Sequence, residues 1–579
     1  MRRPQTIFAL LLALLALGLV GQVVPLYTDW LWFQEVGYAQ VFLTTLGLRG
    51  SLFAAVALGV LVFLYANLTL AARTARPDVL WELEDQLGLP GRVIIEPLIR
   101  RFLPIVLAVI SLVSGLRASG RWETVLAYRN AVPFDAVDPL FGRDLAFFVF
   151  TLPFWHLVTG WALALVVGTL VLTVAVYVLQ RSIVLTQRGP RLAAGARTHL
   201  LALGALLLAL TGVRFWLDRF ELVYSPRGIV FGASYTDIHA SLPALGVLAV
   251  LAWLSAAACL LQLTRPGLRL VAGGLVVLAV VWVVGLGVYP GLLQRLRVTP
   301  NELAAERPFI EHNIRMTRKA YGLDRIQARE FPADEALDAR ALQRNALTIE
   351  NIRLWDHRPL LRTFGQLQEI RTYYKFLDVD NDRYTVNGQY RQLMLSAREL
   401  SYQHLQSRIW INEHLTFTHG YGAVVGPVNR ITAEGLPEFF VKDIPPRSEG
   451  GFPRITRPEI YYGETSNVYA LVRTRSQELD YPAGDQNVYT EYRGTGGILL
   501  SSLLRKLAFA ARLGEIKLLL SNDITPASRV MIYRTIGERV REIAPFFRYD
   551  RDPYLVVTDG GRLVWMLDGY TSTDRYPYS

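Results

Sequence analysis

The sequence predicts an α-helical membrane bundle of seven transmembrane helices followed by a mixed α+β extracytoplasmic domain. Three observations carry this. Seven long apolar stretches lie at 6–24, 51–72, 102–118, 154–179, 200–217, 242–263 and 269–290, most of them near the roughly 20 residues needed to cross a hydrocarbon core. None follows residue 290. The second half instead mixes helical and strand patterns without regular βαβ alternation, which is the pattern of an α+β domain. The 579 residues therefore divide into a membrane part, 1–290, and a second part, 291–579, large enough to bury its own core.

The first stretch, Ile7 to Val24, is long for a signal-peptide core. It has no small-x-small cleavage site before Val24-Pro25, so it reads as an uncleaved anchor. The aromatic run Tyr27-Thr28-Asp29-Trp30-Leu31-Trp32-Phe33 follows. Rings with an apolar body and a polar handle collect at headgroup level, which makes Trp30, Trp32 and Phe33 the expected membrane-interface anchors. Further on, Asp78 to Leu87 has the pattern of a short capped helix closed by Gly88.

Charge sets the orientation. The net charge is +11, with 21 basic and 14 acidic groups in 1–290 and 39 and 35 in 291–579. The excess collects around membrane loops, which suits anionic lipid rather than nucleic acid. If all seven stretches span, the N-terminus and the 73–101, 180–199 and 264–269 segments share one side and hold 13 Arg against eight opposite. The positive-inside rule then places the N-terminus in the cytoplasm and 291–579 outside the cell membrane.

The spans carry no Asp, Glu or Lys near their middles. His156 and Arg214 lie toward predicted outer ends, where snorkelling is cheap. Ion and proton pathways need buried ionisable groups, so a transporter ranks last among the functions considered. The single cysteine, Cys259, sits among Ala256, Ala257, Ala258, Leu260 and Leu261. It has no disulfide partner in the chain and reads as packing.

In the second half, 300–321 is patterned as a helix, with Glu302 and Glu306 early, Arg318 and Lys319 late, and Gly322 after. A second helix is expected over 358–376. Asn387-Gly388 between alternating segments is the strongest short hairpin signal. Strands are expected at 438–443, 459–463 and 467–474, and helices at 498–513 and from Thr525-Pro526 to Ala544. Two closing strands flank Asp559-Gly560-Gly561. Pro445 to Gly451 is the expected internal loop or subdomain boundary.

Motifs of known chemistry mostly fail. Asp378-Val379-Asp380-Asn381-Asp382 opens like a calcium loop, but Arg383 and Gln389 stand where Gly and a carboxylate are needed. Arg493-Gly494-Thr495-Gly496-Gly497 lacks the P-loop ending. His414 and His419 are five apart rather than the four that align two zinc ligands on a helix. His419, beside Gly420-Tyr421-Gly422, is the better functional candidate, and its expected partners in a ligand cluster are Asp443 and Asp485. No catalytic residue, metal site or cofactor is assigned.

Seven segments resemble one family. They are Asp29 to Phe33, Asn351-Ile352-Arg353-Leu354-Trp355-Asp356, Gln366 to Arg371, Thr418 to Gly422, Val441 to Pro446, Pro458 to Glu464, and Asp574-Arg575-Tyr576-Pro577-Tyr578. The chain resembles uncharacterised protein family 0182, multi-pass bacterial membrane proteins. The resemblance implies a seven-helix membrane part and a large extracytoplasmic region, and carries no activity, catalytic residue or cofactor. Members of that family usually continue past the Asp-Arg-Tyr-Pro-Tyr segment. On that basis 553–568 is expected to be an unpaired sheet edge. The leading functional expectation is an envelope binding or scaffolding protein, with the lipid bilayer and an envelope protein or glycan as partners. The alternative is an extracytoplasmic enzyme acting on envelope glycan, lipid or peptide.

Overall fold

The computed structural model describes residues 21–74, 91–180, 182–186, 189–265, 267–331, 337–465 and 468–579. These form two compact units. One comprises 45–330 and 573–579; the other comprises the chain up to Thr44 and 331–572. The predicted span at 6–24 and the predicted helix at 78–87 lie wholly or mainly outside the described residues.

The first unit is helical: α1 (Ala39–Thr74), α2 (Gly91–Ser119), α3 (Trp122–Arg129), α4 (Leu152–Leu179), α5 (Ala194–Glu221), α6 (Leu242–Leu261), α7 (Arg269–Val283) and α8 (Glu302–Ala320). Among the described residues, five continuous helices are long and apolar enough to cross a membrane. A sixth crossing would be α2 and α3 together, which bend by 54°. Seven spans are thus not what the described residues present. Leu58, Leu116, Val171 and Val276 are more than half exposed, as side chains facing lipid would be.

Three of these helical stretches share a device, one of them twice. Wider π-turns at Phe147–Thr151, Asp237–Ser241, Val284–Val288 and Gln294–Val298 each precede a proline by one residue: Pro153, Pro243, Pro290 and Pro300. Proline lacks an N–H and clashes with the carbonyl four residues back. The π-turn gives that carbonyl room without ending the helix.

His156 and Arg214 do not snorkel alone. His156 Nε2 lies 3.3 Å from Glu221, Arg214 Nε lies 2.9 Å from Asp218, and Arg575 pairs with Glu221 at 3.2 Å. Residues 291–330 belong with this helical unit: Glu306, 1% exposed, accepts the Tyr235 N–H, and Asn313 donates to the Tyr578 carbonyl at 2.7 Å.

The second unit is strand-rich. Its main sheet is an antiparallel meander of β1 (Asp380–Val386), β2 (Gln389–Ala397), β3 (Ala423–Pro427), β4 (Val441–Lys442) and β5 (Arg447–Ser448), neighbours in chain order. Asn387 and Gly388 both take positive φ, 51° and 76°, the geometry of the predicted two-residue hairpin turn. The Pro445–Gly451 segment is therefore a loop within the sheet, carrying β5, rather than a subdomain boundary. A second sheet has order β6 (Ala470–Val472), β10 (Arg529–Met531), β9 (Ile498–Leu499), and β7 (Glu478–Ala483) pairs with β8 (Gln486–Thr490). Its helices include α9 (His357–Gln368), α10 (Leu503–Leu513), α11 (Lys517–Leu520) and α12 (Ile536–Ile543).

Two expectations are corrected here. The helix from Thr525 to Ala544 is only α12; Ser528 Oγ takes the Thr525 N–H and folds a turn, after which Arg529-Val530-Met531 is drawn into the sheet. The edge expected at 553–568 is closed along its first strand, while its second has no further strand neighbour among the described residues. β11 (Tyr554–Val557) pairs with β12 (Leu563–Met566), and on its other side the Leu555 and Val557 N–H groups donate to Asp380 Oδ2 and the Tyr384 hydroxyl at 2.8 and 2.9 Å.

The aromatic run after the first apolar stretch is also reassigned. Residues 21–35 are helical. Leu31, Trp32 and Phe33 lie in this unit's main core with Leu471, Leu500, Phe509 and Val530. Trp32 is 1% exposed and edge-on to Tyr533 at 4.7 Å. Trp32 and Phe33 are core residues, not exposed headgroup anchors, because β-sheet and α10 side chains enclose them; Trp30 packs at the margin of the same cluster. Polar ties fix the helix. Arg512 reaches Asp29 at 2.6 Å and the Thr28 hydroxyl at 2.5 Å, and Glu35 accepts the Gly497 N–H at 2.9 Å.

Candidate functional site

The buried polar groups of the strand-rich unit gather where β2 ends. Past Ala397 the chain places Arg398 and Glu399 consecutively in the interior, 0% and 1% exposed. Arg398 donates Nε to the Gln368 carbonyl at 2.8 Å and Nη1 to the Tyr421 carbonyl at 2.9 Å. Burial presses its guanidinium down to about 10. Glu399 accepts the Glu464 and Thr465 N–H groups at 2.6 and 3.2 Å. Its carboxylate fills the space above Gly463, where any Cβ would meet it at 2.4 Å.

Arg534, 1% exposed, is the third buried ion. It donates to the Tyr461 carbonyl at 2.8 Å, the Tyr402 hydroxyl at 2.6 Å, the Val468 carbonyl at 2.9 Å and the Thr418 carbonyl. A buried guanidinium is tolerable only when its donors are used in this way.

His419 lies beside this scaffold with its side chain wholly buried. Its ring stacks on Tyr461 at 4.6 Å, and Nε2 faces Asp480 Oδ1 at 3.5 Å. Neither of these two atoms has a hydrogen bond. Desolvation, helped by Arg534, pushes the imidazole down to about 3. Desolvation with neighbouring Glu459 and Glu478 pushes Asp480 up to about 6. The arrangement is a neutral imidazole facing a carboxyl that holds its proton more readily than usual. Glu478 is occupied structurally, accepting from the Thr418 hydroxyl at 2.7 Å, the Tyr461 hydroxyl at 2.9 Å and the Tyr492 N–H at 3.1 Å.

The expected partners of His419 stand elsewhere. The Asp443 N–H donates to Gln368 Oε1 at 2.7 Å, next to Arg398 rather than His419. Asp485 is exposed in the β7–β8 turn beside Gly484. Asp480 takes the position because the β7–β8 register slips between Leu479 and Tyr481. That bulge leaves Asp480 unpaired and turns its side chain toward His419. Alternating Glu478 and Asp480 were visible in the sequence, whereas the bulge was not.

Among the described residues, no group of three His, Cys, Asp or Glu side chains is placed to hold a metal ion. Of the Asp378–Asp382 run, Asp380 to Asp382 open β1, with Asp380 bonded to the Leu555 N–H. A groove of about 620 Å³ is lined by Arg408, Ile409, Trp410, Ile411, Lys517 and Leu520, and its lining does not include the His419 constellation.

Residues 6–579 match the family described as "Uncharacterised protein family (UPF0182)". A UPF0182 protein of Pelobacter propionicus is 45% identical over 100% of this chain and 65% of its own length. One from Geobacter sulfurreducens is 45% identical over 96% of this chain and 62% of its own. One from Trichodesmium erythraeum is 40% identical over 98% and 61%. The chain thus spans less than two thirds of the length of each of these relatives. No solved structure matches it. With sequence identity of this level along its whole length, the chain belongs to the uncharacterised family UPF0182.

Proposed function

We propose that the protein is a multi-pass cell-membrane protein whose strand-rich unit stands on the extracytoplasmic side and binds or scaffolds a component of the envelope. One observation carries this reading. The segment directly after the first apolar run is built into the core of the strand-rich unit through Trp32, Phe33, Asp29 and Glu35. A unit that takes a membrane-proximal helix into its own core is held at a fixed height, which suits a scaffold better than a freely tethered enzyme. The arginine excess of one set of loops supports the outward orientation.

A second reading, an extracytoplasmic hydrolase, is favoured by the His419–Asp480 pair alone. One measurement tests the orientation that both readings share, and a second separates them. Cys259 is buried, so a cysteine introduced at exposed Asp485 is the thiol that a membrane-impermeant maleimide reaches. Labelling in intact cells supports the outward orientation, and labelling only after permeabilisation overturns it. In the same cells Asp480→Asn keeps the deletion-complementing phenotype if the unit is a scaffold and abolishes it if the pair is catalytic.

A further inference from the structure

The strand-rich unit has an uncovered apolar face. On α10, Leu503, Leu504 and Leu507 are 69, 63 and 46% exposed, while Phe509 on the opposite side and Ala508 and Ala510 on the flanks are buried. Residues 503 and 507 are about one helical turn apart and 507 lies between 503 and 504 in rotation, so the three form one stripe. On α11, Ile516 and Leu520 are 64 and 73% exposed. The groove beside α11 continues the face through Ile409 and Ile411. Isolated exposed leucines need no account, but a stripe of three on one helix and a second exposed apolar group at the next helix mark an interaction surface.

Charge and position identify what covers it. Leu503–Leu520 contains Arg505, Lys506, Arg512 and Lys517 against a single acid, Glu515. Lys517 and Arg408, at the groove, have side chains that are 55 and 60% exposed. Lys517 and Arg408 each pair with one acid, Glu515 at 3.5 Å and Glu413 at 2.8 Å, and the basic excess of the segment beside exposed apolar side chains matches the boundary between acyl chains and anionic headgroups. The same helix is pinned to the membrane-proximal segment, because Arg512 bonds Thr28 and Asp29. Val24, the end of the apolar run, is five residues before Asp29 in a continuous helix, a rise of roughly 8 Å. The headgroup layer on each side of the hydrocarbon is of similar thickness, about 5–8 Å. Val23 and Leu26 are themselves exposed.

We infer that the α10–α11 face docks on the bilayer surface, with its leucines at the acyl boundary and Lys517 and Arg408 among anionic headgroups. The inference rests on the proposed membrane anchoring and adds the second point of contact that would fix the unit's tilt.

The test uses the full chain in nanodiscs of phosphatidylcholine and phosphatidylglycerol. A Cys259→Ala background carries one environment-sensitive probe at Leu507→Cys, Leu520→Cys or, as control, Asp485→Cys. Lipids bearing a spin label near the headgroup should quench the 507 and 520 probes several-fold more than the 485 probe. Omitting phosphatidylglycerol should reduce that quenching. Leu507→Glu, an exposed change that leaves the core intact, should lower it at position 520. Equal quenching at 507 and 485 overturns the inference. So does a 507 probe shielded from aqueous iodide yet untouched by lipid quenchers, since a second copy or another polypeptide then covers the face. Failure of the membrane-proximal anchoring is distinguishable, because a probe at Leu26→Cys would then escape lipid quenching while the chain, held by its other long apolar helices, still co-elutes with the nanodisc.

Discussion

Trp32→Ala separates a core residue from a headgroup anchor. The indole is 1% exposed, lies edge-on to Phe33 and Tyr533 at 5.1 and 4.7 Å, and has the Arg539 guanidinium 5.6 Å from its ring. Truncating a buried aromatic costs about 3–5 kcal/mol through lost burial and the cavity left behind. Sheet and helix residues on several sides are already committed to other contacts, so collapse is limited and about 4 kcal/mol is expected. The readout must report the strand-rich unit alone. Amide exchange at Leu471 and Val530, both in the Trp32 core, does so. At 1.4 kcal/mol per tenfold change, these amides should exchange about a thousandfold faster where exchange follows opening of the unit. Trp30→Ala, at the margin of the core, should cost under about 2 kcal/mol because less area is lost from burial. An anchor at the lipid surface would give the opposite pattern: unchanged exchange at Leu471 and Val530, and weaker membrane retention. Less than about a tenfold acceleration in Trp32→Ala refutes the assignment of this residue to the core.

Three further outcomes follow from the buried polar groups. A double-mutant cycle on Asp29→Ala and Arg512→Ala, read by the same exchange, should give a coupling of about 1–2 kcal/mol; the pair is charge-assisted but partly solvent-screened. Gly463→Ala forces a methyl group against the Glu399 carboxylate and should destabilise the unit by about 1–3 kcal/mol. Asp380, pushed up to about 7 by burial and neighbouring acids, makes the native state hold a proton that the unfolded chain releases near about 3.9. Its contribution is therefore full below pH ~4 and is lost as pH rises toward 7, by up to about 4 kcal/mol. Asp380→Asn still accepts the Leu555 N–H, so a stability profile of the variant minus wild type should rise between pH 4 and 7 and then level. A flat difference contradicts the raised value. His419, held down to about 3, acts with the opposite sign between pH ~3 and its unfolded value of about 6.5, which is why the difference profile rather than the wild-type curve isolates Asp380.

The elements legible in the sequence are those whose signal is local. Asn387-Gly388 dictates its own backbone, and the β1–β2 hairpin forms where that dipeptide predicts. The 302–320 helix ends at Gly322, which takes φ of 64°. Apolar runs of sufficient length become the long helices of the first unit. Local signals misled where a distant partner outweighed them. Thr525-Pro526 is a good helix start, yet Val530 is wanted between β6 and β9 and Ser528 stops the helix. The aromatic segment at 27–33 has the composition of an interfacial belt, but Arg512, 483 residues from Asp29, and the core of the second sheet claim it.

The candidate site was illegible for a related reason. Nothing around Arg398, Glu399 or Arg534 distinguishes them from the many exposed Arg and Glu of this chain. Their burial is decided by acceptors and donors supplied from afar: Gln368 from α9, Thr418 and Tyr421 around β3, Glu464 and Thr465 before β6. Removing one partner of such a network leaves a desolvated charge, so each is costly to lose even though the whole set contributes little net stability over an apolar core. This also explains why His419 looked functional. Its neighbours Thr418, Gly420 and Tyr421 all serve the arginine network through their backbones, and Gly420 is required because a Cβ there would meet the Arg398 carbonyl at 2.4 Å. The sequence signature of the segment is thus accounted for by holding Arg398 and Arg534. The part it does not account for is the facing His419 and Asp480 atoms, which no structural bond uses. Asp480→Asn is therefore the substitution on which the scaffold and enzyme readings diverge most sharply.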